Sequence, residues 1–197
     1  GLFTDSTGFV PYDGVTPVTF IYAQPNATQT YTAISNNVFG CPAAPVNVTV
    51  NVAPCNSIVN LKLFIEGYYE GPSMRSVKNN QDGASPMTDV EDITVELHNS
   101  ASPYALVATA TALLKTDGTA VCTFPPGTAG SYYIAVRNSN ALETWSASPQ
   151  TVSSVPLTFN FSNAANKAYG ANMLDLAASG VFGFYSGDIN QDDVIDG

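Results

Sequence analysis

Residues 106–124 read LVATATALLKTDGTAVCTF, from Leu106 to Phe124, and the fold class turns on how they are taken. The first ten, Leu106–Lys115, have a composition a helix would accept, because Ala and Leu stand high on the helix scale. Thr116-Asp117-Gly118-Thr119 ends the run in a turn, and Ala120–Phe124 then alternates apolar with polar. Two strand-length runs on either side of such a turn predict a β-hairpin, so Leu106–Lys115 is read as a strand.

Outward from this stretch the same period recurs. Val59–Glu66 (VNLKLFIE) starts by alternating, and Asp92–His98 (DITVELH) alternates throughout. Gly67–Pro86 between them is a long polar loop with Met74, Arg75 and Lys78. Downstream, Ser131–Arg137 (SYYIAVR), Glu143–Ala147 and Leu157–Phe161 (LTFNF) complete about seven strands, with turn signals at β-sandwich spacing. Ala164–Ala178 is mixed, a loop or one helical turn.

Nearer the N-terminus, Val18–Ala23, Gln29–Ser35 and Pro45–Val52 are strand-like. In the last, Val46, Val48, Val50 and Val52 face one way and Asn47, Thr49 and Asn51 the other, the mark of a half-buried strand. Three strands of one sheet cannot close a sandwich, so their partners are expected upstream of Gly1. Ala53-Pro54-Cys55-Asn56 reads as a linker. The expected fold class is therefore all-β, with two antiparallel β-sandwich domains in tandem. The first, residues 1–55, is incomplete. The second spans 56–187, and a calcium-loop segment follows at 188–197.

Composition excludes several function classes. Of 197 residues 45% are hydrophobic and only 11% charged, against roughly 25% in ordinary soluble domains. Six Lys+Arg stand against sixteen Asp+Glu, for a net charge of −10, and residues 1–56 contain no Lys or Arg. Nucleic-acid and anionic-lipid surfaces need clustered cations, so neither is an expected partner. No apolar run reaches the roughly 20 residues of a membrane-spanning helix. The start at Gly1 reads as the middle of a domain, and the chain is expected to be a piece of a longer protein.

Asp188, Asn190, Asp192 and Asp196 occupy positions 1, 3, 5 and 9 of an EF-hand-like D-x-N-x-D pattern, with the Val194 carbonyl at position 7. Alternate residues of a tight loop aim hard oxygens at one point, which suits a structural Ca²⁺. Asp193 stands where glycine is usual, and the twelfth position would lie beyond Gly197. Three cysteines remain: Cys41, Cys55 and Cys122. A straight strand at Val46–Val52 would hold Cys41 and Cys55 too far apart for a disulfide. Buried thiols, or pairing with a cysteine upstream of Gly1, are the readings left.

Tyr68, Tyr69, Tyr132, Tyr133, Trp145 and Tyr169 are candidates for a sugar-stacking platform, with Tyr68, Tyr69 and Trp145 the candidate glycan contacts. The other reading is core and edge packing. Neighbours such as Tyr68-Tyr69 point to opposite faces of a strand, so one of each pair is expected outside. His98, the sole histidine, has Ser100 and Ser102 nearby but no orienting acid or Gly-rich elbow. Glu66/Glu70 and Glu91/Asp92 are carboxylate pairs whose separation a sequence cannot measure. No catalytic set is expected. Asn26-Ala27-Thr28 and Asn47-Val48-Thr49 match the N-glycosylation pattern.

The order GLFTD…VPYDG…VTFIYAQPNATQTYTAISNN…GC…PVNVTVNV resembles the later part of the Ig-like (PKD-like) repeats of very large secreted Bacteroidetes proteins. The run LKLFIEGYYEG…LHNSASPYALV…LKTDGTAVCTFP…SYYIAVRNSNALETWSASP…FSNAANKAYG…SGDINQDDVIDG resembles the domain before their dockerin-like calcium segment and sorting domain. The resemblance implies Ig-like sandwiches, export by type IX secretion machinery, and an extracellular place on the bacterial cell surface. It also implies a parent protein that continues past Gly197. Asp5-Ser6-Thr7 is similar to the short O-glycosylation motif of that phylum, with Ser6 as acceptor. The expected function is a non-catalytic stalk of an adhesin-like surface protein, rigidified by calcium. One alternative is a carbohydrate-binding module of a secreted enzyme. Another is a self-associating subunit of an extracellular filament, joined through strand edges.

Overall fold

A computed structural model describes residues 1–16, 18–25, 27–36, 39–53, 55–177, 180–188 and 195. The chain divides into two compact units, Gly1–Pro54 and Cys55–Gly197.

The first unit holds two short antiparallel pairs. β1 (Leu2–Phe3) pairs with β2 (Tyr22–Ala23), and β3 (Gln29–Ala33) pairs with β4 (Val46–Val50) from Gln29↔Val50 to Ala33↔Val46. The run expected over Val18–Ala23 keeps only its last two residues as strand, paired with the two residues of β1. Along β3–β4 the polar face is laced by Thr30–Thr49 and Thr32–Asn47 side-chain hydrogen bonds of 2.8 Å. The opposite file of β4 is valine, with Val46 60% and Val48 55% exposed and Val50 half-buried. None of the described residues of this unit is buried.

The second unit is a β-sandwich. Its strands are β5 (Ser57–Lys62), β6 (Asp89–Asn99), β7 (Leu106–Lys115), β8 (Thr119–Phe124), β9 (Gly130–Asn138), β10 (Ala141–Trp145), β11 (Gln150–Val152), β12 (Leu157–Asn160), β13 (Leu174–Leu176) and β14 (Val181–Gly183). One sheet runs β10-β9-β6-β7, with β11 also on β9. The other runs β12-β5-β8, and β13-β14 form a small hairpin. Among the described residues, every pairing between these strands is antiparallel except β12 with β5, and one isolated bridge, Ile65 to Phe184, is also parallel. The long polar loop contains a short helix, α1 (Val77–Asp82), which closes on Gly83 at φ 65°. The mixed stretch after residue 163 holds two 3₁₀ turns, Ala165–Lys167 and Tyr169–Ala171.

Leu106–Lys115 and Thr119–Phe124 are strands, but they are not a hairpin. β7 pairs with β6 (Ile93↔Ala112) and β8 with β5 (Val59↔Cys122), so the turn at 116–118 carries the chain from one sheet to the other. Both strands bury alternate residues: Ala110, Ala112 and Leu114 on β7, and Ala120, Cys122 and Phe124 on β8. Two facing inner surfaces produce the same alternation as two neighbours in one sheet. What selects the corner is the turn's bonding to other segments. Met74 N–H donates to Thr116 O at 2.7 Å, Thr116 N–H to Thr88 O at 2.9 Å, and Leu63 N–H to Gly118 O at 2.9 Å. Gly118 has φ 88°, and a Cβ there would stand 2.7 Å from Leu63 O.

Phe124, Phe161, Phe184, Leu63, Ile65, Ile93 and Leu97 fill the space between the sheets. Phe161 meets Phe159 and Phe184 edge-on at 4.8 and 5.1 Å, the favoured aromatic arrangement. Cys122 is a buried thiol, whereas Cys41 and Cys55 are exposed, which corrects the expectation of burial for those two.

Candidate functional site

The outer face of the larger sheet gathers aromatic and charged side chains from three strands. The register places Trp145 on β10 beside Ala135 on β9, and Ala135 beside Glu96 on β6. Side chains alternate along a strand, so Tyr133, Ala135 and Arg137 share this face with Thr94, Glu96 and His98. Ala135 puts only a methyl between Trp145 and Glu96, and it is fully buried.

A β-bulge aims Trp145. The β9–β10 pairing shifts between Ala141 and Thr144, so that Thr144 faces inward-pointing Val136 and Trp145 faces outward-pointing Ala135. With unbroken pairing from Ala141↔Asn138, Trp145 would fall opposite Ile134 and point into the core. Re-aiming one side chain is a common use of a bulge.

The indole is then fixed from several sides. Its centroid lies 4.3 Å from the His98 ring and 6.1 Å from Tyr133. Trp145 Nε1–H donates to Glu143 Oε1 at 2.5 Å, and Glu143 Oε2 accepts from Arg137 at 2.6 Å. Arg137 Nε stands 3.5 Å from Glu96 Oε2, near enough to attract but without a hydrogen bond. Glu96 Oε2 lies 2.9 Å from His98 Nε2, and His98 Nδ1 lies 2.9 Å from the Tyr104 carbonyl. The glutamates are mostly buried and sit on either side of one guanidinium. Ion pairs so placed hold geometry more than they add stability.

Two loops complete the cleft. The β6–β7 turn is closed by Asn99 N–H to Ala105 O at 2.9 Å, and Tyr104 sits in it at φ 55°. That conformation is rare for a bulky residue. It sets the Tyr104 ring edge-on to Tyr133 at 5.8 Å. The second loop is tied to β10 by a β-bridge between Ser146 and Ala168, both buried, and by Ala147 N–H to Lys167 O at 2.8 Å. An antiparallel bridge there makes Trp145 and Tyr169 cross-strand neighbours. Tyr104, Tyr133, Trp145 and Tyr169 line a solvent-open cavity of about 320 Å³. Tyr104 is 47% and Tyr169 68% exposed. Two smaller hollows beside Trp145, of about 280 and 110 Å³, add Leu142, Glu143, Thr144 and Asn172.

Of the aromatics singled out in the sequence, Tyr133, Trp145 and Tyr169 meet in this cleft. Tyr68 and Tyr69 are not among its lining residues. Tyr68 is buried, and its hydroxyl donates to Glu91 Oε2 at 2.6 Å. Burial, helped by Glu91, pushes this phenol well above the usual tyrosine range. Tyr69 packs edge-on against Phe64 at 5.2 Å, and Tyr132 packs against the core. Tyr104, which sequence reasoning missed, lies in a loop beside a proline, where no periodicity marks it.

The other candidates are placed as follows. His98 faces Glu96 and the Tyr104 carbonyl and not Ser100 or Ser102. Glu66 accepts from Ser186 N–H, Glu70 pairs with Arg75, Glu91 accepts from Tyr68 and Asn138, and Asp92 pairs with Lys78. Ser6 is exposed, in a turn where the Thr7 hydroxyl donates to Asp5. Asp188 is buried. Asn190, Asp192, Val194 and Asp196 lie outside the described residues. Comparison with family models, with curated proteins and with solved structures found no match.

Proposed function

We propose that this chain is a non-catalytic region of a secreted, surface-displayed protein, and that its second unit binds carbohydrate. The observation that carries the reading is the convergence of Tyr104, Tyr133, Trp145 and Tyr169 on one open cleft. A pyranose ring presents C–H bonds on its faces and hydroxyls around its rim. Aromatic faces take the first, and Glu143 and Asn172 beside Trp145 are suited to the second. The Glu143 and His98 contacts hold the indole in place before any ligand arrives, which lowers the ordering cost of binding. The non-catalytic half is supported by the candidate pairs Glu66/Glu70 and Glu91/Asp92, which bond to Ser186, Arg75, Tyr68, Asn138 and Lys78. The bacterial cell-surface setting and export by type IX machinery rest on the family resemblance.

The test is a titration of the intact chain with a panel of neutral oligosaccharides while Trp145, the sole tryptophan, reports by fluorescence. Binding should quench it. Tyr169→Ala, at an exposed position, should weaken binding about tenfold and leave the melting temperature unchanged. Fluorescence that no glycan alters would sink the reading.

A second reading, a calcium-stiffened stalk of an adhesin, is favoured by Asp188, which is 1% exposed at the first position of the D-x-N-x-D pattern. Asp188, Asn190, Asp192, the Val194 carbonyl and Asp196 would hold the ion. Calcium should then slow proteolysis after Gly187 and raise the melting temperature. Equal digestion rates in calcium and in chelator count against it.

A further inference from the structure

A second cleft lies directly across the Ser146–Ala168 bridge from the aromatic one. It has a volume of about 470 Å³ and a polar lining that includes Ser148, Gln150, Thr158, Asn163, Asn166 and Lys167. The bridge sets the relation between the two. In antiparallel register, Trp145 and Tyr169 are opposed on one side of it, and Ala147 and Lys167 on the other. Trp145 and Ala147 are two residues apart, about 7 Å along an extended chain. The same strand end and the same loop therefore line both clefts.

The second cleft has its own chemistry. Its lining contains amides, hydroxyls and one lysine but no carboxylate, in a chain whose net charge is −10. Thr158, Asn163 and Asn166 are exposed, and among the described residues their side chains make no hydrogen bond to protein. Carboxamides both donate and accept, so they match hydroxyl groups, which do the same. Phe159 adds one ring, covered by neighbours and approached by Lys167 Nζ at 6.0 Å. One cleft is thus built for stacking and its neighbour for hydrogen bonding.

We propose that the two clefts are consecutive subsites for one neutral oligosaccharide chain, which stacks one residue on Trp145 and Tyr169 and lays a later residue among Gln150, Asn163 and Asn166. This rests on the carbohydrate reading of the aromatic cleft. The protein accordingly recognises an extended glycan and discriminates by chain length.

The experiment measures Kd for the full chain with cello-, xylo- and manno-oligosaccharide series from mono- to hexasaccharide. Affinity should rise with length and then level off once both clefts are filled. Tyr169→Ala should weaken every length. Asn163→Ala with Asn166→Ala, at exposed positions, should leave the monosaccharide unchanged and weaken the longest chain about fivefold to tenfold. Length-independent affinity, or a double variant that binds the hexasaccharide as the native chain does, overturns the two-subsite proposal and leaves the aromatic cleft standing. No binding by any series overturns the carbohydrate reading itself.

Discussion

Asp89 is 4% exposed, and it is held ionised chiefly by Lys115, with help from the Thr88 hydroxyl and Lys78. Lys115 Nζ donates to Asp89 Oδ1 at 2.6 Å and holds the carboxyl below the usual range. Asp117 is held down by the Thr119 hydroxyl and amide, and Asp82 reaches about 2 through Ser85 and Ala84. All three shifts have the same sign. An unfolded aspartate titrates near about pH 4, so the native state's preference for the ionised form is fully present above that. It is lost as the pH falls through the depressed folded values. The urea midpoint should therefore drop between about pH 4 and pH 2, and Asp89→Asn should make that drop shallower. A midpoint indifferent to pH in this window would contradict the assignment. Cys122 differs in kind: burial alone pushes its thiol up to about 12.

Among the elements, the corner at 116–118 decides the architecture, and Gly118 makes it possible. An added Cβ would meet Leu63 O at 2.7 Å and Phe64 Cε1 at 2.9 Å, at a φ of 88°. Gly118→Ala should destabilise the second unit by about 3 kcal/mol in denaturant unfolding, from clash and left-handed strain together. Gly83→Ala, at φ 65° with nothing within 4 Å, isolates the strain and should cost only about 1 kcal/mol. Equal costs would mean that the close approach to Leu63 carries no weight. This corner also shows what one-dimensional pattern conveys. Alternation in Leu106–Phe124 reveals strands and their buried sides, but not which sheet each strand joins. That depends on Met74, Thr88 and Leu63, which are distant in sequence. The bulge after Ala141 was equally illegible. One extra residue in β10 reverses the facing of Trp145, and no residue type in ALETW announces it.

For the whole molecule, the all-β class was legible because β5, β7 and β8 bury alternate residues, as in SIVNLK and TAVCTF. The candidate site was legible only as a collection of aromatics. Tyr133, Trp145 and Tyr169 come from two strands and a loop, and only the register of β6, β9 and β10 brings them onto one face. Tyr68 resembled them in sequence but belongs to the core, because the chain leaves β5 and packs Leu63, Phe64 and Ile65 inward just before it. The parallel pairing of β5 with β12 has a kinetic consequence. β5 is the central strand of its sheet, yet one of its two neighbours arrives about a hundred residues later. The β6–β7 hairpin can close early through a short turn, whereas the smaller sheet must wait for most of the unit to be synthesised. Folding of this unit should therefore be slow for its size, and it stays open to unfolded-chain handling until residue 160 has emerged.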